Sequence, residues 1–527
     1  MSAQSSTARV EGTDRVERLR ARIEELGRDF AANVALATAA HVRPVDEAEL
    51  AGMAPDDRER ARRRATARGL EGHALTLDAP SYRAALASLD DRGLRKTLYE
   101  AYMTRASDRG PYAGQFDNTP LLSEILELRY ELARELGFKN YAELALSEGV
   151  LRDPDEAEAR LVSHHRQTKS RAQAELDELW AFAKEKGVPR GFSPWDLPYY
   201  AAWWSRQNFA STEAEVRRYF SLQGVLAGAM ELAAALTGVS FVEMETSAQH
   251  AKRRYRVANE AGVTVGFLMF ETHATDSLLT NARVSLLPDT EDGLRVVQVQ
   301  CDLETPNLAD PGPLSLGQIE ALLRGLGSAL FLLLAQPATS ARPQDQVGAQ
   351  VAGAYLQLFA SRFDTLQDFA RRSATDSEFP LALFDDLTKR RETHAGLAAS
   401  EELELSLFDL RIHRDHIPRH KATQLRVQVL DTFTQIRREQ SVLPHSYWTR
   451  IANFDLAIFV DGRAARLWER DFARAMATEL FALTGKSEGA VGTMRHLRST
   501  FWATAERPLL SRLADALGYA QTFGANR

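Results

Sequence analysis

His413, His416 and His420 stand three and four residues apart, close to the spacing that brings imidazoles onto one helix face around a tetrahedral zinc ion. Pro418 falls inside the run, so the helix is expected to end near Ile417 and the three histidines to be surface and cap residues. His164-His165 and His394, the latter preceded by Glu392, have no partner at metal-ligand spacing and read as exposed helix polars. Cys301 could be a nucleophile working with a distant His, but it ends a predicted strand, where a buried small hydrophobe is expected. No Gly-x-Ser-x-Gly elbow is present, and Gly325-Leu326-Gly327 lies within a helical stretch, unlike a phosphate loop. The arginine-rich run from Arg58 to Arg64 follows Asp56 and Asp57 in an Ala-rich helix and reads as a solvated face.

The elements that must position such groups belong to a large protein. A chain of 527 residues with 44% apolar and 26% charged content can bury one large core or two lobes. Its formal charge of −7 provides no field for nucleic acid or anionic lipid, so neither nucleic acid nor membrane is expected as a partner. One cysteine cannot make an internal disulfide, and the polar first residues hold no apolar signal core, which together point to the cytoplasm. The apolar run Ala329 to Ala335 is far shorter than the roughly 20 residues a bilayer requires and reads as a buried helix.

Residues 1–14 are expected as a disordered tail, 15–235 as a helical lobe and 236–527 as a second domain with a small sheet over 240–305. From Val16 onward Leu19, Ile23, Leu26 and Phe30 recur at helical spacing. Asp78-Ala79-Pro80, Asn118-Thr119-Pro120, Asp153-Pro154 and Ser193-Pro194-Trp195 each place a turn former before a new apolar pattern. Tyr255–Val257 with Val263–Phe270, and Arg283–Leu287 with Leu294–Asp302, read as two strand pairs. Helices resume at Ser315, which with Gln318 has the spacing of a capping box, ahead of an Ile319, Leu322, Leu323, Leu326 stripe.

Collinear segments then resemble a known family. Leu75 to Tyr82, Tyr102 to Asp108, Asp117 to Pro120, Leu136 to Tyr141, Pro194-Trp195-Asp196, the strand ending at Cys301, and Leu407-Phe408-Asp409-Leu410-Arg411-Ile412-His413 resemble the oligopeptidase A and thimet oligopeptidase family of zinc peptidases. The resemblance spans about residues 20 to 520 and implies a mainly α, two-lobed zinc-oligopeptidase-like fold with a central channel and a small antiparallel sheet.

In that family two His of a His-Glu-x-x-His helix and a later Glu hold zinc, while the Glu of the motif acts as general base. The resemblance sets Arg324, Gly325 and Ser328 at those motif positions, followed by Gln350, or by Gly348 if the alignment slips by two. Arg324 has no lone pair to donate and repels a dication. Gly325 cannot take a proton, a step worth about 10²- to 10⁴-fold. Ser328 and Gln350 are weak ligands, and without zinc water keeps a pKa near 15.7 instead of about 7. The family's oxyanion-binding His and Tyr fall in a stretch where Ala457 stands at the His and no Tyr remains, and each lost donor costs about 10²- to 10³-fold.

No metal, cofactor or catalytic residue is therefore expected. Arg324 and Arg463 could meet a peptide carboxylate or acidic side chain, or Arg324 could pair with Asp455 or Asp345. The leading expectation is a catalytically inactive pseudopeptidase that binds a peptide or peptide-like small molecule in the inherited channel, and that could act with a protein partner. The alternatives are a metal-independent enzyme acting on a peptide or amino-acid-derived substrate and, less favoured, a residual metallopeptidase.

Overall fold

Helix starts follow the capping residues. The computed structural model describes residues 2–147, 153–188, 192–209, 213–244, 252–274, 282–287, 293–303, 313–334, 343–373, 378–416, 418, 422–442, 467–484, 496–502, 512–513 and 515–516. In chain order the first elements are α1 (Ser2–Ala40), β1 (Val42–Val45), α2 (Pro55–Thr66), β2 (His73–Thr76), α3 (Ala79–Ser88), α4 (Arg92–Met103), α5 (Thr119–Glu135), α6 (Tyr141–Leu146), α7 (Pro154–Glu185) and α8 (Leu197–Asn208). There follow α9 (Glu213–Arg217), α10 (Leu222–Thr237), β3 (Ser240–Glu243), β4 (Lys252–Ala258), β5 (Thr264–Ala274), β6 (Ala282–Leu286) and β7 (Arg295–Leu303). The last are α11 (Leu316–Leu334), α12 (Pro343–Leu358), α13 (Phe363–Arg372), α14 (Leu381–Glu392), α15 (Ala395–Arg414), α16 (Ala422–Gln440) and α17 (Leu467–Thr484).

The Asp78 carboxylate accepts from the Ser81 amide at 3.0 Å, and that of Asp153 from the Asp155 amide at 2.9 Å, each with a proline in the first turn. Asn118 precedes α5 but ties helices together instead: its amide donates to the Phe30 carbonyl at 3.1 Å and accepts from Asn33 at 2.8 Å. Helix α1 begins at Ser2, ahead of the start expected near Val16, because the polar stretch lacks apolar periodicity yet tolerates helix. The antiparallel β1–β2 pair, with Val42 opposite Thr76 and α2 between the strands in sequence, also interrupts what read as uninterrupted helix.

Two compact units form, and each is discontinuous in sequence. One joins residues 1–208 to 390–468, and the other joins 209–389 to 469–527, in place of a single division near residue 235. The reason in the first unit is that α15 packs along α7, burying Leu407 and Phe408 beside Leu161, Leu126 and Phe30. Arg411 reinforces the pairing through Glu158, with Nε to Oε1 at 2.8 Å.

The second unit is built on a five-stranded sheet of order β3-β4-β5-β7-β6. Both expected strand pairs form antiparallel, β4 with β5 and β6 with β7, and a parallel β5–β7 pairing joins them into one mixed sheet. Edge strand β3, mostly exposed, had no alternating pattern to announce it. Against the sheet lies α11, opened by a reciprocal capping box: the Ser315 amide donates to Gln318 Oε1 at 2.8 Å and the Gln318 amide to Ser315 Oγ at 3.2 Å. Among the described residues α11 is the one helix long and apolar enough to cross a membrane, and its Leu323, Ala329, Leu330 and Leu333 are completely buried within the unit, as a core helix requires.

Candidate functional site

The positions singled out on α11 face α12 at unusually short range. A Cβ on Gly327 would lie 2.4 Å from the Ala352 carbonyl oxygen, so the two backbones are in contact there. On α12, a Cβ on Gly353 would lie 2.3 Å from Ser328 Oγ and 2.7 Å from the Arg324 carbonyl oxygen. A Cβ on Gly348 would lie 2.2 Å from Phe331 Cζ, and one on Gly325 2.9 Å from both Ala282 and Val299 of the sheet. Glycine thus allows α11 to seat against β6, β7 and α12 together. Ser328 completes the contact, its hydroxyl donating to the Ala349 carbonyl at 2.8 Å.

An apolar floor closes the C-terminal half of α11. Phe331 is buried and sits 5.4 Å from the Phe501 ring and 6.5 Å from Trp502. The Arg512 guanidinium stacks 4.4 Å above Phe331, and its Nε donates to the Phe501 carbonyl at 3.0 Å. Arg295 satisfies the end of the helix, donating to the Leu332 carbonyl at 2.7 Å.

Polar character survives at two positions. Arg324 is half-buried, and no hydrogen bond or ion pair joins its guanidinium to another described residue. Burial holds its pKa below the usual arginine value, and the neighbouring Arg474 guanidinium of α17 adds repulsion while Cys301 acts the other way. Gln350 carries a buried Oε1 that has no donor.

These residues do not fit a zinc ion. Arginine brings a positive charge, glycine at 325 and 348 brings no donor, and the Ser328 hydroxyl is spent on Ala349. Among the described residues no group of three His, Cys, Asp or Glu side chains is placed to hold a metal. Ala457, Asp455 and Arg463 lie outside the described residues, as do the Asp345 side chain and His420.

His413, His416 and His165 differ from their surface expectation, whereas His164 is exposed as expected. Helix α15 ends at Arg414, and His413 and His416 are buried at 3% and 5% exposure. Arg129 Nη1 donates to His413 Nε2 at 2.8 Å, which leaves the Nδ1 proton to donate to the Asp409 carbonyl at 3.0 Å. His165 is also buried, 3.1 Å from Ser400 Oγ, and its pKa is pushed down to about 4, by burial first and then by Lys169 and His164. Their apolar neighbours on α7 and α15 turn these side chains inward, a tertiary fact that spacing alone does not carry. Cys301 is buried in β7, as expected. The α2 arginines pair with nearby acids, Arg58 with Glu47, Arg60 with Asp57, Arg62 with Glu59 and Arg64 with Asp78. The residue that sequence reasoning missed is Arg474, which only folding brings near Arg324.

A mainly helical chain, with a buried helix laid on a small sheet, defines a zinc-peptidase-like fold class. Residues 85–499 match Peptidase family M3, most of the chain, and the protein belongs to that family. Oligopeptidase A of Salmonella typhimurium and that of Escherichia coli are each 28% identical to it over 476 residues, covering 88% of this chain and 69% of theirs. Dipeptidyl carboxypeptidase of Escherichia coli is 26% identical over 386 residues, covering 70% of this chain and 55% of its own. A solved structure of PZ peptidase A with an inhibitor covers 98% of this chain and 82% of its own at 13% identity and a TM-score of 0.49.

Proposed function

We propose that this member of family M3 binds peptides without hydrolysing them. The observation that carries the reading is the direct packing of α11 on α12 and the sheet through Gly325, Gly327, Gly348 and Gly353, where the resemblance assigns the zinc helix and its third ligand. Side chains able to hold a metal have been replaced there by residues that let backbones touch, and the remaining oxygen donor, Ser328, is turned to a main-chain carbonyl. Peptide recognition is carried over from family membership; the loss of hydrolysis is inferred from these residues.

The test is mass spectrometry of a mixed short-peptide library incubated with stoichiometric protein, with and without added zinc, followed by recovery of bound peptides by size exclusion. Retained, uncut peptides are expected under both conditions. Zinc-dependent fragments would overturn the proposal. A second reading, metal-independent chemistry on a peptide-like substrate, is favoured by the polar pair of Arg324 and Gln350 in an otherwise apolar surround; its signature is a mass change that needs no zinc.

A further inference from the structure

His394 is held in a backbone conformation that residues with a side chain avoid, at a corner where α15 does not cap itself. Helix α14 ends at Glu392 and α15 starts at Ala395, so the chain turns through Thr393 and His394 alone, just after it re-enters the first unit at Arg390. His394 makes the corner with φ of 58° and ψ of 16°, a left-handed geometry that glycine usually supplies past the end of a helix. It also stands at the N-cap of α15, and its side chain makes no capping hydrogen bond. The ring goes elsewhere: half-buried, it meets the Trp204 indole of α8 edge to face at 5.4 Å, and its buried Nε2 has no hydrogen-bond partner.

Helix α7 supplies what the corner lacks. The Glu175 carboxylate accepts from the Gly396 amide through Oε1 at 3.2 Å and from the Leu397 amide through Oε2 at 2.9 Å, the two donors that an N-cap side chain serves. Arg171 braces the carboxylate, its Nε donating to Glu175 Oε1 at 2.9 Å and its Nη2 to the Glu392 carbonyl at 2.5 Å. Gly396 permits the approach, since a Cβ there would lie 2.9 Å from Arg171 Cγ and 3.0 Å from the Ala172 amide nitrogen. One side chain on another helix thus closes the corner against a strained backbone, and loss of that contact frees the first turn of α15 and lets His394 relax.

We propose that Glu175 and His394 form a spring-loaded latch on the first turn of α15, closed at neutral pH and opened by acid. In the closed latch a proton placed on Nε2 finds no acceptor, and a positive charge on the ring sits beside the positive end of the α15 dipole. Glu175 and Glu178 of α7 are the charged groups that act on the ring, and both favour its proton, while α8 presents the uncharged Trp204 indole. Burial is the larger influence and holds the His394 pKa below 6.5. Opening returns the ring to water and to its ordinary pKa. The open form therefore binds more protons as the pH falls through 6.5, and the latch is most secure above that value.

Hydrogen–deuterium exchange of the full chain tests the latch, read on peptides over residues 393–400, corrected for the intrinsic pH dependence of amide exchange, and referred to peptides of α11. Protection over 393–400 should fall by up to about 10-fold between pH 7.5 and 5.5 while α11 stays protected. Glu175→Gln, which removes the charge and one acceptor, should lower protection of the same peptides at pH 7.5 by about 3- to 30-fold. His394→Gly removes the strain and the titrating ring together, so it should raise protection by about 3- to 10-fold and abolish the pH response. His394→Asn tolerates the left-handed region without ionising, and it should keep the protection seen at pH 7.5 and lose the pH response. Protection indifferent to Glu175→Gln would sink the latch. Weaker protection in His394→Gly than in the wild type would show that the Trp204 contact outweighs the strain and would overturn the spring. A pH response that survives in His394→Asn, or one shared in full by α11, would assign it to other groups and overturn the proton trigger.

Discussion

The faces that α15 turns to α5 and α16 in one unit and the α11–α12 contact of the other make opposite use of polar residues. The first retains a dense buried network: Arg437 donates to Glu404 at 2.7 Å with both side chains almost wholly buried, and Arg129, His413 and Asp409 form a second cluster in the core. The second is packed mainly through glycine and aromatic contacts. The contrast separates two ways of joining elements. Buried polar pairs hold one set of helices in register, whereas the other set is fitted by shape.

The sharpest way to break this comparison is at Arg437. If the network of the first unit is structural, Arg437→Met leaves Glu404 buried without its partner and should destabilise the protein by about 3–5 kcal/mol. The double change Arg437→Met with Glu404→Leu should recover most of that loss in urea unfolding, because both charges then leave the core together. Recovery by the double change and not by either single one would mark the pair as a structural register device.

Next in size is the contact of the second unit. Gly327→Val presses a side chain against the Ala352 backbone, which no rotamer change can relieve, and should destabilise by about 3 kcal/mol. Gly69→Val, at a surface turn with positive φ and nothing within 4 Å, serves as the comparison and should cost about 1–2 kcal/mol through backbone strain alone. Equal losses at the two positions, read by thermal unfolding, would show that α11 and α12 have room between them and would remove the main support for the loss of the metal site.

A further effect is a pH dependence. His165 is neutral in the folded protein, with its pKa pushed down to about 4 from 6.5, so the unfolded chain binds more protons in that interval. Its contribution is fully present above pH 6.5 and is lost as pH falls toward 4, at up to about 1.4 kcal/mol per unit. His165→Gln should flatten that part of the stability curve, measured as the urea midpoint from pH 7 to 4. A slope unchanged by the substitution would assign it to other groups.

Local chemistry was legible in the chain and long-range contact was not. Asp78, Asp153 and the Ser315–Gln318 pair mark helix starts because a cap needs only three or four neighbouring residues. The alternating runs of β4, β5 and β7 were equally readable, yet the parallel joining of β5 to β7 was not, since their pairing is set by the whole sheet. Against the family pattern the chain could be read as setting Arg324, Gly325, Ser328 and Gln350, or Gly348, at the motif positions. It did not reveal how closely these helices pack, because the meeting of Gly353 with Arg324 depends on how two helices approach. His413 and His165 were misplaced at the surface for the same reason: a histidine on a mixed helix face is sent inward by what packs over it, here Arg129 and Ser400.

The glycine contact also limits what single changes can do here. A glutamate placed at 348 would strike the Phe331 ring, itself wedged beside Phe501 and Trp502, and one placed at 325 would strike Ala282 and Val299. Neither change is accommodated until its neighbours become smaller, and those earlier changes would hollow out a core. The packing works as a ratchet: a carboxylate can be seated between these helices only by several changes made together.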